Sequence, residues 1–169
     1  FNASRSNSTT YRNATERVED QIKKNKHTGY LGSGMVEALA KTIPRGEDIV
    51  NVVKGLLSDS YEGVLVLTSR RIIYVWRGLL YGTKVEDFNF ERITSVQYDS
   101  GLIYADIKVM TGGNNAELKR VNKVHAKEFC ERARSMVSLP IRTTTVSQPE
   151  QQNTQPAPQI DVAEQLTKL

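Results

Sequence analysis

Residues 63–77, GVLVLTSRRIIYVWR, decide how this chain is read. Two runs of β-branched, aromatic and aliphatic residues are joined across Thr68, Ser69 and Arg70. Val, Ile, Tyr and Trp suit a pleated surface, and short polar residues suit a tight connection, so the stretch predicts a β-hairpin. Within it, VLVL and IIYVW are apolar at every position rather than at alternate ones. Strands of that kind need cover on both faces, so a layer is expected on each side of the hairpin.

Outward from the hairpin the pattern continues as strands. Residues 48–57 form the strand before it, with SDSYE as the turn; GLLYG leads to a strand over 83–90, and others follow over 93–99, 102–111 and 116–121. In 102–111, Ile103, Ala105, Ile107 and Val109 alternate with Tyr104, Asp106, Lys108 and Met110, which marks one buried and one wetter face. Asn122 then offers an N-cap to a helix over 123–138, whose Ala126, Phe129, Cys130, Ala133, Met136 and Val137 share one face. Pro140 stops it.

Upstream, residues 1–10 are polar and expected to lack order. Residues 12–26 permit a highly charged helix with a thin stripe of Val18 and Ile22. After a Gly-rich break, Ser33 is placed to cap a helix over 34–43, with Met35, Val36, Leu39, Ala40 and Ile43 on its apolar face. This helix is the available cover for the outer face of the hairpin. Residues 139–159, rich in Thr, Gln and Pro, read as a flexible linker, and 160–169 as a short helical tail.

Seven antiparallel-type strands followed by one amphipathic helix define a mainly β, α+β fold: two sheets curled into a partly open barrel, capped by the C-terminal helix and carrying one or two extra N-terminal helices. This order over 46–138 resembles the pleckstrin-homology (PH) superfold, and the local text is similar to the bacterial PH-like family of the YokE-like type. The residues behind that resemblance are Gly46-Glu47 ahead of the first strand, Leu67-Thr68-Ser69-Arg70-Arg71-Ile72, and the later Ile93-Thr94-Ser95-Val96. The tail, Ile160 to Leu169, looks like the first half of the helical-hairpin module called SHOCT, truncated. These motifs are structural, so they speak to fold before function.

Composition excludes several functions. The longest strongly apolar runs are far short of the roughly 20 residues of a membrane span. A polar N-terminus shows no signal-peptide pattern, although a chain that begins at Phe1 leaves an upstream segment open. A single cysteine, Cys130, rules out an intrachain disulfide framework and points to a reducing cytoplasm. The formal charge of +4 lies in residues 1–45, with eight Lys/Arg against four Asp/Glu, whereas 46–138 are nearly balanced at thirteen against twelve. A balanced body argues against nucleic acid as the partner. His27 and His125 lie far apart with no Cys, Asp or Glu at ligand spacing, so no metal site is expected, and no cofactor motif appears. There is no nucleophile elbow or paired-carboxylate motif, and Gly112-Gly113 joins two strands instead of opening a helix on a phosphate. No enzyme is expected.

Two candidate sites remain. The PH resemblance implies an anion site near the end of strand one, but after Lys54 the stretch GLLSDSYEGVL brings Asp59 and Glu62 and no cation. Arg77, Lys84, Lys119 and Arg120, with Lys54, form a weaker candidate anion site, with ordinary solvated charge as the simpler reading. Leu79, Leu80 and Tyr81 put apolar side chains in a connection that is normally polar, which suggests an interaction loop: a self-association contact, a membrane-interface anchor or a contact with the N-terminal helices. The expected role is a non-catalytic binding or assembly module acting through protein interaction or self-association. The alternative is peripheral binding to a membrane surface or an anionic ligand.

Overall fold

A computed structural model describes residues 13–25, 29–58, 61–78 and 82–137. Three α-helices and seven strands appear there: α1 (Ala14–Lys24), α2 (Ser33–Thr42), β1 (Ile49–Ser58), β2 (Tyr61–Thr68), β3 (Arg71–Arg77), β4 (Thr83–Asn89), β5 (Ile93–Ser100), β6 (Tyr104–Thr111), β7 (Asn115–Asn122) and α3 (Lys123–Val137). One 3-10 turn, Phe90–Arg92, links β4 to β5. The linker 139–159, the tail 160–169, the loop of Leu79, Leu80 and Tyr81, and His27 lie outside the described residues.

The strands follow one another in the order β4-β3-β2-β1-β7-β6-β5, every neighbour antiparallel. The sheet curls into a half-barrel: β1 to β4 form one wall, β5 to β7 the other, and among the described residues one registered strand pair, Leu56 with Lys119, joins them. The corner is tight because Gly55 has no side chain; a Cβ there would lie 2.4 Å from the Lys119 carbonyl oxygen. Tyr74 reinforces the closure across the interior by donating its hydroxyl to the Glu117 carbonyl at 3.0 Å.

The doubly apolar hairpin explains why there are two cores. Leu65, Leu67, Ile72 and Tyr74 face the barrel interior with Phe88, Ile107, Val109, Leu118 and the α3 residues Ala126, Phe129, Cys130 and Ala133. Val64, Val66, Ile73 and Val75 point the other way and bury against Val18, Ile22, Met35, Val36, Leu39 and Ile43 of the N-terminal region. Both α1 and α2 therefore act as the outer cover that the strand composition demands, α1 through the thin Val18–Ile22 stripe.

Several boundaries differ from expectation for local reasons. Helix α2 begins at Ser33 with Gly32 as its N-cap and no capping side chain, so Ser33 is the first helical residue and not the cap. Helix α1 is shorter than 12–26, with Asn13 as its cap, its Oδ1 accepting from the Glu16 amide at 2.8 Å. Strand β2 starts at Tyr61, and β4 gives way at Phe90 to the 3-10 turn. Strand β6 starts at Tyr104 because the Gly101 amide donates to the Tyr104 carbonyl at 2.8 Å and closes a turn; Ile103 continues the sequence alternation but is exposed. Asn122 caps α3 as expected, its Oδ1 accepting from the Val124 amide at 3.0 Å.

Candidate binding surfaces

The five cations of the candidate anion site do not converge. Lys54 lies on the outer face of β1, in line with Val52, and is paired with Glu62 at 2.7 Å. Arg77 shares the outer face by alternation with Ile73 and Val75, and Lys119 stands beside Leu56 at the corner. Lys84 is registered opposite Trp76, on the inner side. Arg120 is drawn away by a bulge. Its φ is +53°, its amide donates to Asp106 Oδ1 at 2.9 Å, and its guanidinium lies 5.7 Å from the Tyr104 ring centroid.

An open cleft of about 750 Å³ occupies the gap between β4 and β5, lined by Asp87, Phe88, Arg92, Thr94, Thr111 and the Gly112–Asn114 turn. Two of the turn amides are taken up within the turn itself. Thr111 Oγ1 accepts from the Asn114 amide at 2.9 Å and the Gly113 amide at 3.5 Å, so the glycine pair makes a closed turn instead of a phosphate cradle. Asn114 Nδ2 reaches across to Glu86 at 3.1 Å.

The family text noted in the sequence turns out to be a buried latch. The Glu47 side chain is 2% exposed; Arg71 grips it with Nε at 3.0 Å and Nη2 at 3.1 Å, and the Thr68 hydroxyl donates to it at 2.7 Å. Arg71 also donates to Asp87 at 3.1 Å and to the Thr42 carbonyl at 3.0 Å. From α1, buried Arg17 donates to the backbone carbonyls of Glu47 and Ile43. Burial raises the Glu47 pKa, but the hydrogen bonds from Arg71 and Thr68 outweigh it, and the carboxyl is held below its ordinary 4.5. The Arg71 guanidinium is held more firmly protonated by the same pair. Buried and saturated with donors, Glu47 has no access to a substrate.

Cys130 is fully buried, and burial pushes its thiol up to about 12, against a smaller opposing pull from Arg134. The folded protein should therefore resist a thiol-specific reagent at neutral pH and react fully once denatured; rapid labelling of the native state would contradict this. Among the described residues no three His, Cys, Asp or Glu side chains cluster in a way that could hold a metal ion.

The surface that sequence reasoning missed is the β5–β6 tip. Leu102 is 94% exposed, Ile103 66% and Tyr104 48%, and Val124, at the start of α3, is 70% exposed. Lys123 reaches back to the Gly101 carbonyl at 3.3 Å, which brings the start of α3 against the tip. The signal lay in the sequence as Gly101-Leu102-Ile103, but the alternation of 103–109 assigned Ile103 to a buried face.

A curled seven-stranded half-barrel closed by a C-terminal helix is the architecture of a PH-like domain, a class that generally binds and does not catalyse. The bacterial PH domain family matches residues 43–135, and the chain belongs to that family. Among solved structures, a pleckstrin homology domain from Shewanella amazonensis SB2B is similar at 14% identity, covering 60% of this chain and 94% of that one, with a TM-score of 0.45. The C-terminal domain of an unknown protein from Leishmania infantum is similar at 12% identity, covering 60% and 93%, with a TM-score of 0.46. A DUF1696 family protein with a pleckstrin-homology domain from Shewanella loihica PV-4 follows at 12% identity, covering 64% and 99%, with a TM-score of 0.43. No curated protein sequence matches the chain. No helix among the described residues is long and apolar enough to cross a membrane.

Proposed function

We propose that this bacterial PH domain is a non-catalytic assembly module that pairs with a second copy of itself along the edge of β4. One observation favours it: among the described residues β4 ends the sheet unpaired on one side, and its sequence is complementary to itself about Val85. If two copies meet antiparallel with Val85 opposite Val85, Lys84 of each faces Glu86 of the other, and Thr83 faces Asp87. That is the reciprocal pattern a two-fold contact requires. Opposite charges placed directly across strands are favourable and like charges are not, so the same residues also select the register. The other end strand, β5, is less available, because Arg134 Nε donates to the Val96 carbonyl at 2.7 Å and the Cys130 thiol reaches the Gln97 carbonyl at 3.7 Å. The connection holding Leu79, Leu80 and Tyr81 leads directly into the β4 edge, so its apolar residues would extend the contact.

Light scattering over a concentration series tests this. The wild type should give a dimer mass, Lys84→Glu or Glu86→Lys alone should shift it towards monomer, and the double exchange Lys84→Glu with Glu86→Lys should restore the dimer. A wild type that is monomeric throughout, or single variants that leave the mass unchanged, would overturn it.

A further inference from the structure

We infer that the cleft between α1 and α2 is the docking site for the chain's own residues 160–169, which lie outside the described residues. The inference does not depend on pairing along β4. The cleft has a volume of about 260 Å³ and is lined by Glu19, Ile22 and Lys23 of α1, Tyr30 and Leu31 of the connection, and Val36 of α2. Its floor is apolar, since Ile22, Leu31 and Val36 belong to the buried layer outside the hairpin. Its rim is open: Tyr30 stands there at 83% exposure, the most exposed aromatic residue among the described ones. The space is below the roughly 300 Å³ at which sites for drug-sized ligands begin, and a groove between two helices suits the apolar face of a third.

The sequence of residues 160–169 fits that groove. Val162, Leu166 and Leu169 recur at four- and three-residue spacings, so as a helix they share one face with Ala163. So short a helix is marginal alone, and the cleft would supply the packing that holds it. Charge sets the direction. Glu164 and Lys168 stand four residues apart, as do Glu19 and Lys23 on the rim. Laid antiparallel to α1, the segment brings Glu164 beside Lys23 and Lys168 beside Glu19; laid parallel, it opposes like charges. Among the described residues Lys24 pairs with Asp20 and Lys41 with Glu37, whereas Glu19 and Lys23 have no ion-pair partner. The connection is long enough. Glu128 and Arg132 of α3 share a second cleft with Gln21, Lys24 and Asn25, so α3 passes the C-terminal end of α1, the end an antiparallel segment enters first. The helix ends at Val137, roughly 8 Å beyond Arg132. A tether as long as residues 138–159 spans roughly 26 Å on average if it carries no fixed structure. At the effective concentration of about 1 mM that such a tether gives, a contact with a Kd of about 0.1 mM between separate pieces is about nine-tenths occupied.

Amide NMR of the whole chain tests the inference. In the wild type, backbone relaxation should show residues 160–169 tumbling with the domain. Leu166→Asp with Leu169→Asp should free them and shift the signals of Lys23, Tyr30, Leu31 and Val36, while the signals of β5 and β6 stay in place and report an intact domain. Lys23→Glu, at an exposed position, should raise the free population several-fold at low salt, and Lys23→Glu with Glu164→Lys should recapture the segment. The inference is overturned if residues 160–169 of the wild type move independently of the domain, if the Leu166 and Leu169 substitutions leave the cleft signals unmoved, or if the double exchange fails to recapture the segment. It is equally overturned if the shifted signals lie at Leu102 and Ile103, the other exposed apolar surface. A fall in mass by light scattering on substituting Leu166 and Leu169 also overturns it, because the segment would then occupy the cleft of a second copy. A monomeric wild type that shows the expected shifts would remove the β4 pairing and leave this inference standing.

Discussion

Glu47→Ala should cost this protein about 3 to 5 kcal/mol of stability at neutral pH, the usual penalty for removing one partner of a buried ion pair. In a domain of this size that corresponds to a fall in melting temperature of roughly 12 to 20 °C. The loss is large because one side chain serves three elements. Its carboxylate holds Arg71 of β3 through two bonds of 3.0 and 3.1 Å, accepts the Thr68 hydroxyl at the end of β2, and through Arg71 ties the Thr42 carbonyl at the end of α2. Without it, Arg71 keeps the Thr42 carbonyl and, as its charge partner, Asp87, whose side chain is 45% exposed, so a largely buried guanidinium loses its dry partner. Glu47→Gln preserves the volume and should cost less, but it removes the charge. The folded carboxyl titrates below its ordinary 4.5, so its ionic contribution is complete above that value and is lost as the pH falls through the lower, folded value. Urea unfolding of wild type and Glu47→Gln should therefore show a clear gap at neutral pH that narrows well below pH 4.5. A gap that stays constant in acid would mean that Glu47 acts by shape and not by charge.

The parts of the fold legible in the sequence are those set by local composition. The two apolar faces of VLVL and IIYVW called for a barrel core on one side and helices on the other, and the α3 face of Ala126, Phe129, Cys130 and Ala133 found the interior by its spacing alone. What stayed hidden depends on residues far apart meeting. Glu47 and Arg71 are 24 positions apart, and nothing in either neighbourhood marks them as a buried pair. The candidate cations failed to form one cluster because strand register and the bulge at Arg120 decide which face each takes; a positive φ at an arginine leaves no trace in the alternation. Ile103 misled for a related reason. The alternating pattern ran one residue past the point where a turn hydrogen bond ended the strand.

Gly55→Ala should be nearly as damaging as the loss of Glu47, although it adds only one carbon. At this position a Cβ would stand 2.4 Å from the Lys119 carbonyl oxygen, 2.8 Å from Val121 Cγ2 and 2.9 Å from Leu118 Cγ. The last two are side-chain atoms in a packed core, and the first is backbone, so relief requires β7 to move away from β1. Among the described residues the Leu56–Lys119 pair is the one strand register between the walls, so displacement there opens the corner and loosens the wall of β5 to β7 from the wall of β1 to β4, leaving the Tyr74–Glu117 hydrogen bond and the shared core to hold them. Overpacking of a core commonly costs about 1 to 3 kcal/mol, and a clash with a fixed carbonyl at the strand junction between two walls belongs at the upper end or above. Gly113→Ala is the matched control: no atom lies within 4 Å of the added carbon, and it should change stability by less than about 0.5 kcal/mol. Hydrogen exchange distinguishes a local from a global effect. In Gly55→Ala, amides of β6 and β7 should lose protection while those shared by β2 and β3 keep more of theirs, because the β2–β3 hairpin is held by its own register and by the outer helices. Uniform loss of protection across both walls would instead mean that the barrel unfolds as one unit and that the corner is not its weakest join.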